Sequence, residues 1–346
     1  MKKLQAAIVG ASGYAGEELV RLLARHPHLE LAALSSRSSA GKTLGDVIPG
    51  TPAAVRGLKF ESITPDDLAA RTDIDVTFLA LPHGVAAEYA VPLRAAGKVV
   101  VDLSADFRLK SAEVYKEFYA HEHPAPHLLA QSVYAQPELH RDEIAKSDLL
   151  ACPGCYPTSI LLPLAPVLRA GVIDSASIVI NSLSGASGAG KKADISLLFC
   201  EIQENMRAYS VPKHRHLSEI EQELTLAAGS RVTVTFIPHL IPLHRGMLST
   251  ITAKLTQTAT AEEVTALLTK AYGHEPFVRV LPVGKIPEVV NVVRTNVCEI
   301  SVQVDTRTGR LILLSAIDNL SKGASAQAVQ AMNVRFGFPE TSGLEI

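Results

Sequence analysis

The chain has 346 residues, of which 47% are hydrophobic and 20% are charged, and its formal net charge is −2. This length exceeds what one hydrophobic core usually holds, so two domains are expected. The balanced charge and the absence of a basic cluster in the sequence argue against nucleic-acid binding, which depends on neutralising phosphates.

Cysteine usage and the apolar runs bear on where the protein works. Its 4 cysteines are scattered and too few for a disulfide framework, which favours a reducing compartment. The apolar run at residues 4–11 breaks at Gly10 and is followed by Glu17 and Glu18, unlike a secretory signal. A later run at residues 159–170 contains prolines and an arginine and is too short to cross a bilayer. We expect a soluble, cytoplasmic protein without a membrane partner.

The first 150 residues alternate strand and helix signals. Short apolar runs predict strands, and apolar residues at helical spacing predict helices. The predicted elements, in chain order, are a strand at 4–9, a helix at 14–25, strands at 29–34 and 76–81, a helix at 85–96 and a strand at 98–103. Because strands that alternate with helices form parallel sheets with right-handed crossovers, this part is predicted to be an α/β, Rossmann-like domain.

After residue 151 the pattern changes to strands that are expected to be antiparallel, with a few helices. The predicted strands cover residues 172–183, 232–236, 247–255, 297–305 and 310–317. The last two flank a hairpin turn in which Gly309 suits a positive φ. This pattern predicts an α+β second domain, and a final helical stretch at 319–334 is expected to pack on the first domain. The expected division is 1–150 plus 318–346 for the first domain, and 151–317 for the second.

A glycine motif of the form G-x-x-G-x-x-G lies where the first strand ends and the first helix begins. Glycines at such a turn let the backbone approach a pyrophosphate, whose charge is stabilised by the helix N-terminus. A plain strand–helix turn is the alternative, but the position at the start of an alternating pattern favours a dinucleotide site. The candidate cofactor-binding residues in this segment are Gly10, Ser12, Gly13, Tyr14, Ala15 and Gly16.

The end of the second predicted strand indicates which dinucleotide is bound. NAD sites usually place an acidic residue there, to accept from the ribose 2′-hydroxyl. This chain instead has Ser36, Arg37 and Ser39, and its Glu30 lies near the beginning of the strand. Hydroxyls and a guanidinium suit a 2′-phosphate, whereas in a simple polar loop the arginine would only be solvated. The residues therefore favour NADP(H).

Cys155 lies where a short apolar strand runs into a helix, with Pro157 expected at the first helical position. The helix dipole at that point lowers the pKa of a thiol and makes it a usable nucleophile. Three alternatives are an inert buried cysteine, a redox pair with Cys152, and a zinc knuckle. The knuckle needs a second cysteine pair that the sequence lacks, and a thioredoxin-type protein would be far shorter. No metal site is expected.

A nucleophilic cysteine beside a nicotinamide cofactor suits acyl reduction. The thiolate attacks an activated acyl group, and hydride then reduces the thioester to a thiohemiacetal. The alkoxide that forms needs a general acid. Histidine candidates are His214 and His216, just before a predicted capping box of Ser218 and Glu221 that would open a helix at 218–227.

With these residues in view, the sequence resembles the N-acetyl-gamma-glutamyl-phosphate reductase family of arginine biosynthesis over nearly its whole length. The signatures Pro-Gly-Cys-Tyr-Pro-Thr at 153–158 and His-Arg-His-x-x-Glu-Ile at 214–220 are specific, and they occur in the family's order. The family commonly has glycine-leucine where this chain has Ala135-Gln136, a departure expected near the substrate, and it commonly has glycine at the position of Ala326.

The resemblance implies NADPH-dependent reduction of a small-molecule acyl phosphate, N-acetyl-L-glutamyl 5-phosphate, to the 5-semialdehyde and phosphate. It implies a homo-oligomer, either a dimer or a tetramer. It further implies Cys155 as the nucleophile and His216 as the acid/base. The other residues that it suggests are Ser187 and Gly188 in a loop near the cofactor, Asn319 and Lys322 near the nicotinamide, and Arg108 and Arg245 for the substrate carboxylate and phosphate.

Alternatives to this function remain open from the sequence. The same chemistry would also serve a carrier-linked 2-aminoadipyl phosphate or aspartyl phosphate, because loop side chains decide which acyl group is accepted. A thiol–disulfide protein that uses Cys152 and Cys155 is an alternative from another class. A non-catalytic NADP-binding regulator that kept the fold is another.

Overall fold

The structure is a computed structural model, and it describes residues 3–344. The chain forms two compact units. Among these residues, the first unit contains 3–153 and 324–344, and the second runs from Gly154 to Gly323. Residues 318–323, which the sequence analysis assigned to the first domain, lie in the second unit.

The first part of the chain alternates strands with helices, as predicted. Its elements are β1 (Leu4–Val9), α1 (Tyr14–Leu23), β2 (Leu29–Ser35), α2 (Leu44–Val47), β3 (Phe60–Glu61), α3 (Pro65–Ala70), β4 (Val76–Leu79), α4 (Ala86–Ala95), β5 (Val99–Asp102), α5 (Ala112–Tyr119), β6 (Val133–Tyr134), α6 (Pro137–Ile144) and β7 (Leu149–Ala151).

The remaining elements begin at the cysteine that the sequence analysis singled out. They are α7 (Cys155–Arg169), β8 (Val179–Ser184), α8 (Phe199–Ile202), β9 (Arg207–Ala208), α9 (His216–Ala228), β10 (Thr235–Leu240), β11 (Met247–Lys254), α10 (Ala261–Tyr272), β12 (Val278–Val280), α11 (Val289–Val292), β13 (Cys298–Asp305), β14 (Arg310–Ile317) and α12 (Ala326–Phe336).

The sheet of the first unit is parallel throughout, in the order β3-β2-β1-β4-β5-β7-β6. Strand β1 shows how both faces are covered. Its Ala6 and Ile8 pack in one apolar cluster with α1 and α12, and its Ala7 and Val9 pack in a second cluster with α4. A parallel sheet with helices on both faces is the arrangement that such apolar strands require. The Rossmann-like prediction is confirmed.

The sheet of the second unit is mixed, in the order β12-β13-β14-β11-β8-β10-β9. Two strand pairs are parallel, β8 with β10 and β12 with β13, so the strands are not all antiparallel. The strand predicted at 172–183 begins later, at Val179, because Asp174 caps a short 3-10 turn at Ser175–Ser177. The strand predicted at 232–236 is shifted to Thr235–Leu240. The α+β class itself is confirmed.

Helix α7 supports the cysteine at its first residue, although it contains prolines. A proline inside a helix has no N–H, and so leaves the carbonyl four residues earlier without its helical donor. Pro163 leaves the Ser159 carbonyl, to which the Ser315 hydroxyl donates instead. Pro166 leaves the Leu162 carbonyl, to which the Tyr272 hydroxyl donates at 2.7 Å. Both vacated acceptors are therefore satisfied, and the helix continues to Arg169.

Candidate functional site

The glycines of the loop in the first unit let the backbone pack more closely on itself than side chains would permit. Gly10 has a φ of +84°, and a Cβ there would lie 2.2 Å from the Ala80 carbonyl oxygen. A Cβ on Gly16 would lie 2.2 Å from the Gly10 carbonyl oxygen. Helix α1 begins at Tyr14, with no side chain capping its N-terminus. The first-turn N–H groups of such a helix are available to an anion, so the loop fits a pyrophosphate.

The position of this loop in the sheet also fits a dinucleotide. The chain runs from β1 to β2 and β3 on one side of β1 and then crosses to β4 on the other side, so the strand order reverses between β1 and β4. Ligands of open α/β sheets bind at this reversal, beyond the carboxyl ends of the strands. The segment after β4, residues 80–84, therefore shares the site with the glycine loop. The sequence analysis missed this segment, because only the strand order identifies it.

The residues predicted to bind the ribose 2′-phosphate lie at the end of β2 and just after it. The Ser12 and Ser36 hydroxyls are 2.7 Å apart and so join the glycine loop to the second strand. Ser39, three residues after Ser36, is buried. The Arg37 side chain is exposed. A hydroxyl pair beside an exposed guanidinium is a suitable environment for a phosphate.

Cys155 is the first residue of α7, and Gly154 is the N-cap in an extended conformation. The helix thus begins two residues earlier than predicted, and Pro157 is its third residue instead of its first. The Gly154 N–H donates to Glu219 Oε1 at 2.9 Å, so a buried carboxylate holds the turn before Cys155. Cys155 is partly exposed. A thiol at this place faces the positive end of the helix dipole, which favours its thiolate.

Cys152 differs from Cys155 in its surroundings. It is wholly buried in the first unit. Burial, with the Asp102 carboxylate nearby, raises the pKa of the Cys152 thiol far above its usual range. A protonated, inaccessible thiol is a poor nucleophile. Within residues 3–344 neither cysteine is disulfide-bonded. These observations disfavour a redox pair.

The helix that follows the two candidate histidines does not start as predicted. Helix α9 begins at His216, not at Ser218, and its N-cap residue, Arg215, makes no side-chain capping bond, so the predicted capping box is wrong. The Ser218 hydroxyl donates to the Arg215 carbonyl, and Glu221 accepts from the Val234 N–H. The Ser218 and Glu221 side chains therefore make these two hydrogen bonds instead of the two bonds of a capping box.

His214 supports the start of α9. Its Nδ1 accepts from the His216 N–H at 3.1 Å. Burial lowers the pKa of His214 to about 4, so this ring is neutral near pH 7. The ring of Tyr156, adjacent to Cys155 in sequence, lies 5.4 Å from the His214 ring and 5.9 Å from the His216 ring, measured between centroids. The structure therefore brings both histidines to the N-terminal end of α7.

Among the residues suggested near the nicotinamide, Asn319 and Ser187 are joined by a hydrogen bond in the second unit. Asn319 Nδ2 donates to the Ser187 hydroxyl at 3.0 Å, and Asn319 Oδ1 accepts from the Gly246 N–H at 2.7 Å. Gly188 adjoins them, since a Cβ there would lie 3.7 Å from Asn319 Nδ2. Lys322 is wholly buried, with its ammonium 5.6 Å from the centroid of the Phe277 ring.

Both candidate substrate arginines are held by the protein. In the first unit, Arg108 Nε donates to the Cys152 carbonyl at 2.7 Å, and its Nη2 donates to the Leu103 carbonyl at 2.9 Å. In the second unit, Arg245 forms an ion pair with the fully buried Asp318 at 2.9 Å. Each guanidinium therefore has a structural function, whatever else it binds.

Gln136, one of the departures from the family pattern, is fully buried at the N-cap of α6, and its amide has no hydrogen-bond partner among the described residues.

Over residues 3–344, no three histidine, cysteine or acidic side chains are placed to hold a metal ion. The described helices include none with the length and apolar character needed to span a membrane.

The role of Glu219 was also missed from the sequence. The residue lies in the signature at 214–220, but nothing in that pattern says that its carboxylate reaches the Gly154 N–H. A carboxylate in the first turn of a helix ordinarily indicates a favourable interaction with the helix dipole and no more. Its nearly complete burial is the signal that would have separated it from a solvated acid, and burial comes from the tertiary structure.

Comparison with known proteins agrees with this architecture. The family model described as "Semialdehyde dehydrogenase, NAD binding domain" matches residues 5–147, and the one described as "Semialdehyde dehydrogenase, dimerisation domain" matches residues 155–319. Among solved structures, aspartate semialdehyde dehydrogenase II from Vibrio cholerae is similar with a TM-score of 0.75 at 18% identity, covering 97% of this chain and 99% of that one. The enzyme from Candida albicans with NADP is similar with a TM-score of 0.70 at 18% identity, covering 96% and 100%.

Curated relatives are much closer in sequence. An N-acetyl-gamma-glutamyl-phosphate reductase of Akkermansia muciniphila is 52% identical over 99% of each chain. The protein of that name from Moorella thermoacetica is 49% identical over 99% of this chain and 98% of its own length. At this identity and coverage, together with the two matched domain models, the chain belongs to the N-acetyl-gamma-glutamyl-phosphate reductase family of semialdehyde dehydrogenases.

Proposed function

We propose that this protein uses NADPH to reduce N-acetyl-L-glutamyl 5-phosphate to N-acetyl-L-glutamate 5-semialdehyde and phosphate. The observation that carries the proposal is a partly exposed cysteine at the first residue of α7, with the first residue of α9, His216, beside the neighbouring Tyr156 ring. The second cysteine of the motif is buried and protonated, which favours one nucleophile over a dithiol.

The first unit would hold the cofactor. Gly10 and Gly16 let the loop turn tightly between β1 and α1, and the start of α1 has no side-chain cap, which suits a pyrophosphate. We assign the 2′-phosphate to Ser36, Arg37 and Ser39. When bound, NADPH supplies the hydride that reduces the thioester. Asn319 and Lys322, with the loop of Ser187 and Gly188, are our candidates for its nicotinamide side.

Cys155 begins the reaction. Its thiolate attacks the acyl carbon, a C–S bond forms, and the electrons of the carbonyl move onto oxygen. The carbonyl then re-forms, the bond to the phosphate oxygen breaks, and phosphate leaves with that electron pair. The remaining thioester keeps the acyl group on α7. The helix N-terminus stabilises negative charge that develops on the carbonyl oxygen.

His216 moves the proton. It accepts the proton of the Cys155 thiol and later donates it to the alkoxide that reduction of the thioester produces. When it takes the hydroxyl proton back, the C–S bond breaks, the aldehyde leaves and the thiolate is restored. We propose Arg108 and Arg245 for the substrate's carboxylate and phosphate, because guanidinium groups bind such anions in a bidentate way.

The assembly is proposed on separate grounds. The match of residues 155–319 to a dimerisation domain supports a homo-oligomer, and we propose a dimer or tetramer. A cytoplasmic location is our inference from the few, scattered cysteines.

The reverse reaction tests the substrate assignment. We expect the protein to reduce NADP only when phosphate and N-acetylglutamate semialdehyde are both present. Aspartate semialdehyde and 2-aminoadipate semialdehyde, at equal concentration, provide the comparison. A higher kcat/KM for either of these semialdehydes would show that the proposed acyl group is wrong. Reduction of NADP without phosphate would contradict acyl-phosphate chemistry.

The cofactor assignment makes a separate prediction. Replacing Arg37 with alanine is expected to weaken NADPH binding by about ten- to a hundredfold, because one charge-assisted contact to the 2′-phosphate is lost. NADH lacks this phosphate, so its Kd should change little. Fluorescence titration of both cofactors provides the measurement. Equal weakening of the two would show that Arg37 does not read the 2′-phosphate.

A further inference from the structure

A turn of the backbone packs directly against Cys155. Residues Ser321–Ser325 form a π-helical turn between β14 and α12. Turns of this kind are rare and are often found at functional sites. A Cβ placed on Gly323 would lie 2.7 Å from the Cβ of Cys155 and 3.1 Å from its Cα. The backbone of residue 323 therefore occupies the space on one side of the cysteine side chain.

The need for glycine here is steric. The φ of Gly323 lies outside the positive range that favours glycine, so an alanine would meet no conformational penalty of that kind. Its methyl group, however, would come closer to Cys155 Cβ than carbon atoms in proteins are found, and something would have to move. Adding a methyl group to closely packed surroundings forces a backbone or side-chain shift.

The turn itself is firmly held. The Gly323 N–H donates to the Asp318 carbonyl at 2.9 Å. The Asp318 carboxylate accepts from the Leu320 N–H at 2.8 Å and from the Ser321 N–H at 3.1 Å, and it is paired with Arg245 at 2.9 Å. This carboxylate is wholly buried. A displacement of the turn would disrupt buried, charge-assisted hydrogen bonds, which are costly to break.

The start of α7 is held as well. The Gly154 N–H is bonded to the buried Glu219 carboxylate, and the residues after Cys155 are buried up to Leu168. Because the turn and the helix are both anchored, the strain of an added methyl group would fall on Cys155, on its side chain and on its backbone.

We propose that Gly323 is a positioning residue for the nucleophile. Its lack of a side chain lets the π-helical turn close one side of Cys155, so that the sulfur and the attached acyl group are accepted only on the other sides. This inference rests on the proposed function, because it assumes that Cys155 carries the acyl group. The effect on the fold does not depend on that assumption and can be measured by itself.

Kinetics test the positioning role. Gly323→Ala is expected to lower kcat by about a hundredfold, the size of loss that a misplacement near 1 Å produces. It should leave NADPH affinity within about twofold of the wild type, and the rate of Cys155 alkylation by iodoacetamide should change with it. Gly57→Ala is the matched control, because a Cβ there has no atom within 4 Å and φ is not positive. A folded Gly323→Ala protein with wild-type kcat and alkylation rate would overturn the proposal.

A double-mutant cycle covers the case in which Gly323→Ala folds poorly. Cys155→Gly removes the Cβ that the new methyl group would meet, although it leaves the Cα at 3.1 Å. We expect Gly323→Ala to lower Tm by about 5 °C in the Cys155→Ala background, and by clearly less in the Cys155→Gly background. An equal loss of Tm in both backgrounds would overturn the contact with Cys155. Because Tm is measured without turnover, this outcome is independent of whether Cys155 is the nucleophile.

Discussion

Cys155→Ser is expected to lower turnover by about 10⁴-fold or more, because the serine hydroxyl remains protonated where the thiol ionises. The forward assay, loss of NADPH absorbance with the acyl phosphate, measures this directly. Intact mass spectrometry gives a second measurement. Wild-type protein given the acyl phosphate without NADPH should gain the mass of one acyl group, and the Cys155→Ser protein should gain none by thioester formation.

Cys152→Ser is the matched control for this experiment. Cys152 is wholly buried, and burial raises the pKa of its thiol, so we expect it to take no part in nucleophilic attack. We expect this change to lower turnover only mildly, through a small disturbance of packing. If both serine variants lose activity equally while remaining folded, the chemistry requires two thiols and the single-nucleophile mechanism is wrong.

His216→Asn is expected to lower kcat by about 10²–10⁴-fold, the range for removing a positioned acid/base group. The first residue of a helix lies in a positive field that disfavours imidazolium, whereas a nearby thiolate favours it, so the two groups should titrate as a coupled pair. Asparagine cannot carry the positive charge that stabilises the thiolate. The pH profile of Cys155 alkylation should therefore shift to higher pH in this variant.

His214→Asn distinguishes the acid/base role from a structural one. The pKa of His214 is lowered to about 4, so above that pH the ring carries no charge that its removal could take from the thiolate. We expect a much smaller loss of kcat and an unshifted alkylation profile. NADPH binding should survive both changes, which titration checks. Should His214→Asn prove the more damaging variant in a folded protein, the roles of the two histidines must be exchanged.

The regular elements of the fold were predictable where burial follows a simple period. The runs at β1 and β14 are apolar or alternate as buried strands do, and their predicted bounds match the structure. Element ends were predicted less well. Helix α9 begins two residues before the predicted capping box, and α7 begins two residues before Pro157. The start of α7 is held by the contact of Gly154 with the distant Glu219, and the start of α9 by the His214 ring, whose role no apolar period predicts.

What the sequence determined by itself is local. Gly10 is required by its positive φ, and Gly10 and Gly16 by close backbone approach; both occur beside a strand and a helix that can be predicted from the same stretch. The cysteine before a helix, and the serines and arginine after β2, are equally local patterns. Each of these predicts a type of chemistry, because the residue types and their immediate neighbours already decide it.

What only the tertiary structure decided is which distant residues meet. The order of the strands places the segment after β4 beside the glycine loop. The packing of α7 and α9 brings His214 and His216 to Tyr156 and buries Glu219 against the Gly154 N–H. The π-helical turn sets Gly323 against Cys155. Sequence periodicity says which face of an element is buried, but not what lies opposite that face. The partner of each residue is decided by how whole helices and strands pack, since that packing minimises voids and unsatisfied polar groups over the entire unit.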